Sequence, residues 1–145
     1  MAPITASAEI GRAPEDVFTY VTDPSRFAEW QEGVVDGRTE GSGVGARCIT
    51  TRRIGFMKQT TNSEITELSP PHTWSVRGID GPIRAQVDVR VEPLDGGARS
   101  RATIDVDFEG HGLGKLLVPL AVRREAEKEM PRNLRRLKEH LEQAQ

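Results

Sequence analysis

Ile83, Ala85, Val87, Val89 and Val91 alternate with Arg84, Gln86, Asp88, Arg90 and Glu92. After Leu94-Asp95-Gly96-Gly97, Ala102, Ile104, Val106 and Phe108 alternate with Arg101, Thr103, Asp105, Asp107 and Glu109. A period of two residues with apolar side chains on one parity marks two half-buried strands, and the Asp-Gly-Gly turn joins them as a hairpin. The apolar face of such a sheet must be covered. The only long amphipathic segment in the chain is Gly112 to Gln143, so the pattern predicts a sheet wrapped around one C-terminal helix.

The remaining pattern supplies more strands. Ile4 to Gly11 alternates Ile4, Ala6, Ala8 and Ile10 with polar or small residues, and reads as the first strand. Ala13-Pro14-Glu15-Asp16 then starts a helix, with proline near its first position and acids in its first turn. Asp23-Pro24-Ser25 ends it. A second short helix, Arg26 to Gln31, puts Phe27 and Trp30 on one face. Gly33 to Gly45 holds a strand and a glycine-rich turn. Ala46 to Ile54, Lys58 to Leu68 and Thr73 to Gly78 give three more strands, with Pro70-Pro71 forcing a turn. About seven strands, two short early helices and one long final helix form a single domain over residues 1–145, an α+β arrangement.

The final helix carries Leu113, Leu116, Leu117 and Leu120, then Ala126, Met130, Leu134, Leu137 and Leu141 at helical spacing. Pro119 marks a junction between a first segment and the main helix. Pro131 lies within the phase of the stripe and is expected to kink a continuing helix. The interleaved Arg123, Arg124, Arg132, Arg135, Arg136, Glu125, Glu127, Glu129 and Glu139 read as a charged outer surface.

The composition excludes several classes of function. Twenty basic and 22 acidic residues are interspersed, for a net charge of −2, which leaves no electrostatic footprint for nucleic acid. The single Cys48 rules out an internal disulfide or a cysteine zinc cluster, and no acidic or histidine cluster has metal-ligand spacing. No metal or cofactor is expected. Nothing resembles a signal peptide or a span of about 20 apolar residues, so the expectation is a cytoplasmic protein, monomer or homodimer, without a transmembrane segment.

The middle strands differ from the final hairpin. Between Arg47 and Glu64 lie Thr50, Thr51, Arg52, Arg53, Lys58, Gln59, Thr60, Thr61, Asn62 and Ser63. Whichever parity faces inward, polar groups point toward the helix, which a solid core would not choose and a ligand pocket or a solvated sheet edge would tolerate. Cys48 and Ile49 are adjacent and both suited to burial, so either Arg47 and Thr51 or Thr50 and Arg52 line the inside. An inward arginine would suit a ligand carboxylate or phenolate.

The first strand followed by Ala13-Pro14-Glu15-Asp16-Val17-Phe18, Val21-Thr22-Asp23-Pro24 and Phe27-Ala28-Glu29-Trp30 resembles the START-like (SRPBCC) superfamily of polyketide cyclases/dehydratases and lipid-transfer domains, bacterial members included. Gly43-Val44-Gly45, Glu64-Ile65-Thr66-Glu67-Leu68-Ser69-Pro70-Pro71, Trp74 and Pro131-Arg132-Asn133-Leu134-Arg135-Arg136-Leu137-Lys138 extend the resemblance over the whole chain. It implies the helix-grip fold, with a cavity between a curved antiparallel sheet and the C-terminal helix, for a hydrophobic or aromatic, lipid- or polyketide-like small molecule.

The candidate ligand contacts are Phe27 and Trp30 at the expected mouth, and Cys48, Thr50, Arg52, Thr61 and Ser63 on the middle strands. Trp74, Val76, Val87, Val89, Ile104, Val106 and Phe108 on the later strands, with Leu117 and Met130 on the helix, complete the set. Core packing competes with ligand contact at each apolar position. No catalytic residue of the superfamily's cyclases matches a local motif here, and the only tyrosine, Tyr20, lies on the first helix. An enzyme reading, aromatase/cyclase or dehydratase, would use an inward arginine with Thr50, Thr61 or Ser63. A third reading is a protein-interaction module with a collapsed cavity. His72, His111 and His140 are too widely spaced for a shared site, and His111 lies nearest the expected mouth. Cys48 reads as a small buried hydrophobe.

Overall fold

The structure is a computed structural model that describes residues 3–81, 83–110 and 118–143. Seven antiparallel strands form one sheet: β1 (Ile4–Ile10), β2 (Val34–Glu40), β3 (Arg47–Ile54), β4 (Met57–Ser69), β5 (Thr73–Gly78), β6 (Ile83–Leu94) and β7 (Arg99–Gly110). Their order is β1-β7-β6-β5-β4-β3-β2, so every neighbouring pair except β1 and β7 is consecutive in the chain. Between β1 and β2 lie α1 (Pro14–Val21), a 3-10 turn (Pro24–Arg26) and α2 (Phe27–Trp30). The C-terminal α3 (Val118–Gln143) covers the concave face. This is the helix-grip fold. Among the described residues no helix is long and apolar enough to cross a membrane.

Register turns the alternation into a face. Ile4, Ala6, Ala8 and Ile10 stand opposite Val106, Ile104, Ala102 and Ser100. Val87, Val89 and Val91 stand opposite Val106, Ile104 and Ala102 on the other side. Trp74 and Val76 continue the rows against Val89 and Val87. The second half of α3 packs Met130, Leu134, Leu137 and Leu141 into this core, which also takes Val17, Phe18 and Val21 of α1. Ser100 is fully buried, and its hydroxyl donates to the carbonyl of Arg12 at 2.7 Å, so no hydroxyl is stranded there.

Two local features fix the ends. Helix α3 runs through Pro131 without a break, as its unbroken apolar phase predicts, and Pro119 falls in its first turn. Its C-terminal end is clamped: Glu142 accepts from the Gly11 amide at 2.8 Å and the Lys138 ammonium at 2.9 Å, while Arg12 donates to the Leu141 carbonyl at 2.8 Å. At Gly37 in β2, an added Cβ would collide with the carbonyl of Pro24, so the glycine lets the 3-10 turn lie flat on the sheet.

Candidate functional site

Burial along the concave face is uneven, and the unevenness outlines a cleft. On β7, Ser100, Ala102 and Ile104 are buried, while Val106 and Phe108 are only half-buried. On β6, Val91 and Val89 are buried and Val87 and Ala85 are not. The apolar packing on this face is therefore tight at one end and only partly closed at the other.

The middle strands put polar groups on the same face. Pairing places Thr39, Cys48 and Ser63 in one row, Gly37, Thr50 and Thr61 in the next, and Val34, Arg52 and Gln59 in a third. Ser63 stands opposite Gly78 and Ile65 opposite Val76, which joins these rows to the concave face of β5. The parity left open by the adjacent Cys48 and Ile49 is therefore resolved: Cys48, Thr50 and Arg52 face the helix, and Arg47 and Thr51 face away. Ile49 is buried as well, but on the convex side between Arg38 and Asn62.

Thr50, Arg52, Thr61 and Ser63 are half-buried. The hydroxyls of Thr50 and Thr61 share a hydrogen bond at 3.0 Å across β3 and β4. Arg52 donates to Oε1 of Gln31 at 3.0 Å and to the Glu32 carbonyl at 3.4 Å, at the end of α2. Burial pulls the guanidinium pKa down, and the negative Glu129 partly restores it. Reciprocally, burial raises the Glu129 carboxyl pKa, with Glu32 and Glu125 adding to the rise and Arg52 opposing it. An arginine from the sheet and a carboxyl from the helix thus act on each other across the space between them.

The charged stretch of α3 is not wholly an outer surface, contrary to the reading of its alternating charges. Arg123 is buried and reaches Asp107 at 2.7 Å; Glu129 and Arg136 are half-buried, and Arg136 donates to the Glu29 carbonyl at 3.1 Å. Arg123 precedes Met130 by seven residues, two helical turns, and Asn133 follows it by three. Both therefore fall on the apolar stripe, and its phase was the signal that could have found them. Asn133 uses its position to accept from the Glu32 amide at 3.0 Å.

Phe27, Trp30 and Trp74 are buried as an aromatic cluster, with Phe27 edge-on to Trp30 at 5.8 Å and to Trp74 at 6.4 Å. Among the described residues, Trp30 Nε1 is a buried donor without a hydrogen-bond partner. Val76, Val89, Ile104 and Met130 are buried in the core, whereas Val87, Val106 and Phe108 pack partly buried against it. Leu117, Leu113, Leu116 and His111 lie outside the described residues. Leu120 is largely exposed. Cys48 is buried and its thiol is pushed up to about 11, which makes it an unreactive small apolar group. His72 and His140 are exposed. Tyr20 donates to Glu29 at 2.7 Å and holds α1 to α2. No cluster of metal-ligating side chains occurs among the described residues.

A recess of about 210 Å³ opens on the convex side, lined by Glu64, Arg77, Gly78, Ile79, Arg84 and Glu109. Its four charged residues include the Arg77–Glu109 pair at 4.0 Å.

A family model described as polyketide cyclase / dehydrase and lipid transport matches residues 1–142. The "Uncharacterized protein Rv1546" of Mycobacterium tuberculosis (strain ATCC 25618 / H37Rv) is 26% identical over 102 residues, which cover 68% of this chain and 71% of the relative. Among solved structures, the Zhui aromatase/cyclase of Streptomyces sp. R1128 aligns over 97% of this chain and 93% of its own at a TM-score of 0.80 and 14% identity. A START superfamily protein of Mycobacterium smegmatis aligns over the full length of both chains at a TM-score of 0.80 and 14% identity. The di-domain ARO/CYC BexL aligns with 98% of this chain at a TM-score of 0.77 and 16% identity. The chain spans 47% of that protein's length.

Proposed function

The chain belongs to the polyketide cyclase / dehydrase and lipid transport family of the START-like superfamily, and from that premise we propose that it binds a hydrophobic or aromatic small molecule in the cleft between β3–β7 and α3. The observation that carries the reading is the change in burial along one face. A closed core runs from Ser100 to Ile104, then gives way to half-buried Val106, Phe108 and Val87 beside half-buried Thr50, Thr61 and Ser63. Affinity comes from covering the apolar wall, at about 25 cal/mol per Å². Orientation comes from the three hydroxyls and from Arg52, which suits a ligand with an acidic or phenolic group at one end.

The test is thermal stability against aromatic polyketides, flavonoids, sterols and fatty acids. A ligand at about 100 times its dissociation constant stabilises the fold by roughly 2.7 kcal/mol. A rise confined to one chemical class supports the cleft and identifies what it holds; no rise across the panel moves the reading to a protein partner.

The Arg52–Glu129 relationship favours a second reading, a cyclase or dehydratase. A carboxyl whose pKa is raised by burial is suited to exchanging protons with an enolisable polyketone, and the adjacent guanidinium to holding the developing enolate oxygen. Loss of water from a poly-β-ketone substrate, read by mass spectrometry and abolished in Glu129→Gln, would distinguish catalysis from carriage.

A further inference from the structure

The β3–β4 hairpin ends in a feature that neither the core nor the cleft uses. Ile54 pairs with Met57 across a two-residue turn in which Gly55 adopts a φ of +61°, and the next residue, Phe56, is fully exposed. Met57 is 73% exposed. Two large apolar side chains at the apex of a hairpin gain nothing for folding there. The hairpin also stands clear of its neighbour. β4 pairs with β5 only from Ser63 onward, and the β5–β6 turn is tied back to Asn62 through Ile79 and Asp80. Met57 to Thr61 therefore extend beyond the rest of the sheet on that side.

The charges behind the apex are arranged in an unusual way. Arg53 and Lys58 stand directly opposite each other, both exposed, in a register position where like charges repel. Neither is held in an ion pair among the described residues. The nearby acid Glu32 is taken by Arg132 at 2.9 Å, and Asp36 stands opposite Thr51, two residues short of Arg53. The apex thus carries an apolar tip and, immediately behind it, two cations that no described acid pairs.

We infer that this hairpin tip docks the protein on an anionic lipid bilayer, with Phe56 and Met57 entering the headgroup–acyl boundary and Arg53 and Lys58 among the lipid phosphates. A bilayer needs only such a tip, because the apolar apex and its cationic collar match the depth profile of the interface. A stable protein–protein contact needs about 800 Å² on each partner, and a projecting two-residue apex does not present it. The inference concerns the outer tip and stands apart from what the cleft holds.

The test is co-sedimentation with phosphatidylcholine vesicles, with and without phosphatidylglycerol, at low and high salt. The wild type should sediment with the anionic vesicles and be released by salt. Arg53→Gln/Lys58→Gln should lower partition about thirtyfold, from about 1 kcal/mol for each cation near the surface. Phe56→Ser/Met57→Ser should lower it on the anionic vesicles while leaving the melting temperature unchanged, since neither side chain is packed. Absence of sedimentation by the wild type, or tip variants that sediment like it, would overturn the inference. So would a wild-type dimer in vesicle-free solution that the Phe56→Ser/Met57→Ser variant dissolves, which would assign the tip to a second copy of the chain.

Discussion

The guanidinium of Arg52, in the middle of the sheet's polar region, donates at 3.0 Å to the side-chain carbonyl of Gln31 at the end of α2. That bond ties the wall of the cleft to the short helix beside it, and it leaves a partly dehydrated cation close to the Glu129 carboxyl. In the proposed binding mode, this cation meets the acidic end of the ligand.

Replacing Arg52 by Gln therefore should weaken an acidic ligand far more than its neutral counterpart. A charge-assisted hydrogen bond contributes about 1.5–3 kcal/mol, so the loss for a carboxylate ligand should be roughly ten- to hundredfold. Calorimetric titration of an acid and its amide against both proteins measures the difference. Equal losses for the two ligands would show that Arg52 only packs.

Glu129 should make the protein less stable as the medium becomes more alkaline. Its folded pKa is raised by burial above the ordinary carboxylate value, so the folded state holds its proton longer than the unfolded state. The associated stability is present below the unfolded pKa and is lost as pH rises through the folded pKa. Glu129→Gln should remove that part of the slope, so the variant should gain on the wild type between mildly acidic and neutral pH. Urea midpoints measured for both proteins across that range would refute this if the two curves stayed parallel.

Glu142 has the opposite sign. Hydrogen bonds from Lys138 and the Gly11 amide hold its pKa below the ordinary value. Its contribution is present at neutral pH and disappears as acid protonates it through the lowered folded pKa. Because the side chain is 37% exposed, solvent screening limits the effect, and Glu142→Gln should cost about 0.5–1 kcal/mol at neutral pH and nothing in acid. Amide exchange in the last turn of α3 should quicken in the variant, and unchanged exchange would contradict the clamp.

Gly37→Ala should destabilise by about 1–3 kcal/mol, because the new methyl meets the Pro24 carbonyl and the 3-10 turn has to lift from β2. Denaturant unfolding measures the loss. An Ala variant as stable as the wild type would mean that this contact yields easily.

Much of the fold was legible because alternation and helical spacing are local. The Ile83–Phe108 pattern corresponds to β6 and β7, the Thr73–Gly78 strand has the predicted limits, and Pro131 lies inside a continuous α3. The candidate site was legible as a set of residue types, apolar and polar, without the facing of the middle strands. The adjacent Cys48 and Ile49 are both buried, on opposite faces, so burial propensity at that pair carries no information about which side is inward. Glu129 belongs to the interleaved arginine and glutamate run that reads as an outer surface, yet it is half-buried while the adjacent Glu127 and Lys128 are exposed.

The sequence by itself determined the elements, their amphipathic faces and the grip of one sheet on one helix, since each follows from the period at which apolar side chains recur. Only the tertiary structure decided which face of β3 and β4 meets the helix. That choice rests on pairing register, with irregularities between Val34 and Asp36 and between Ile65 and Glu67, and a one-residue shift inverts every side chain. It also brought Arg52 under the influence of Glu129, 77 positions later in the chain. Electrostatic coupling depends on distance through space, which no local pattern encodes.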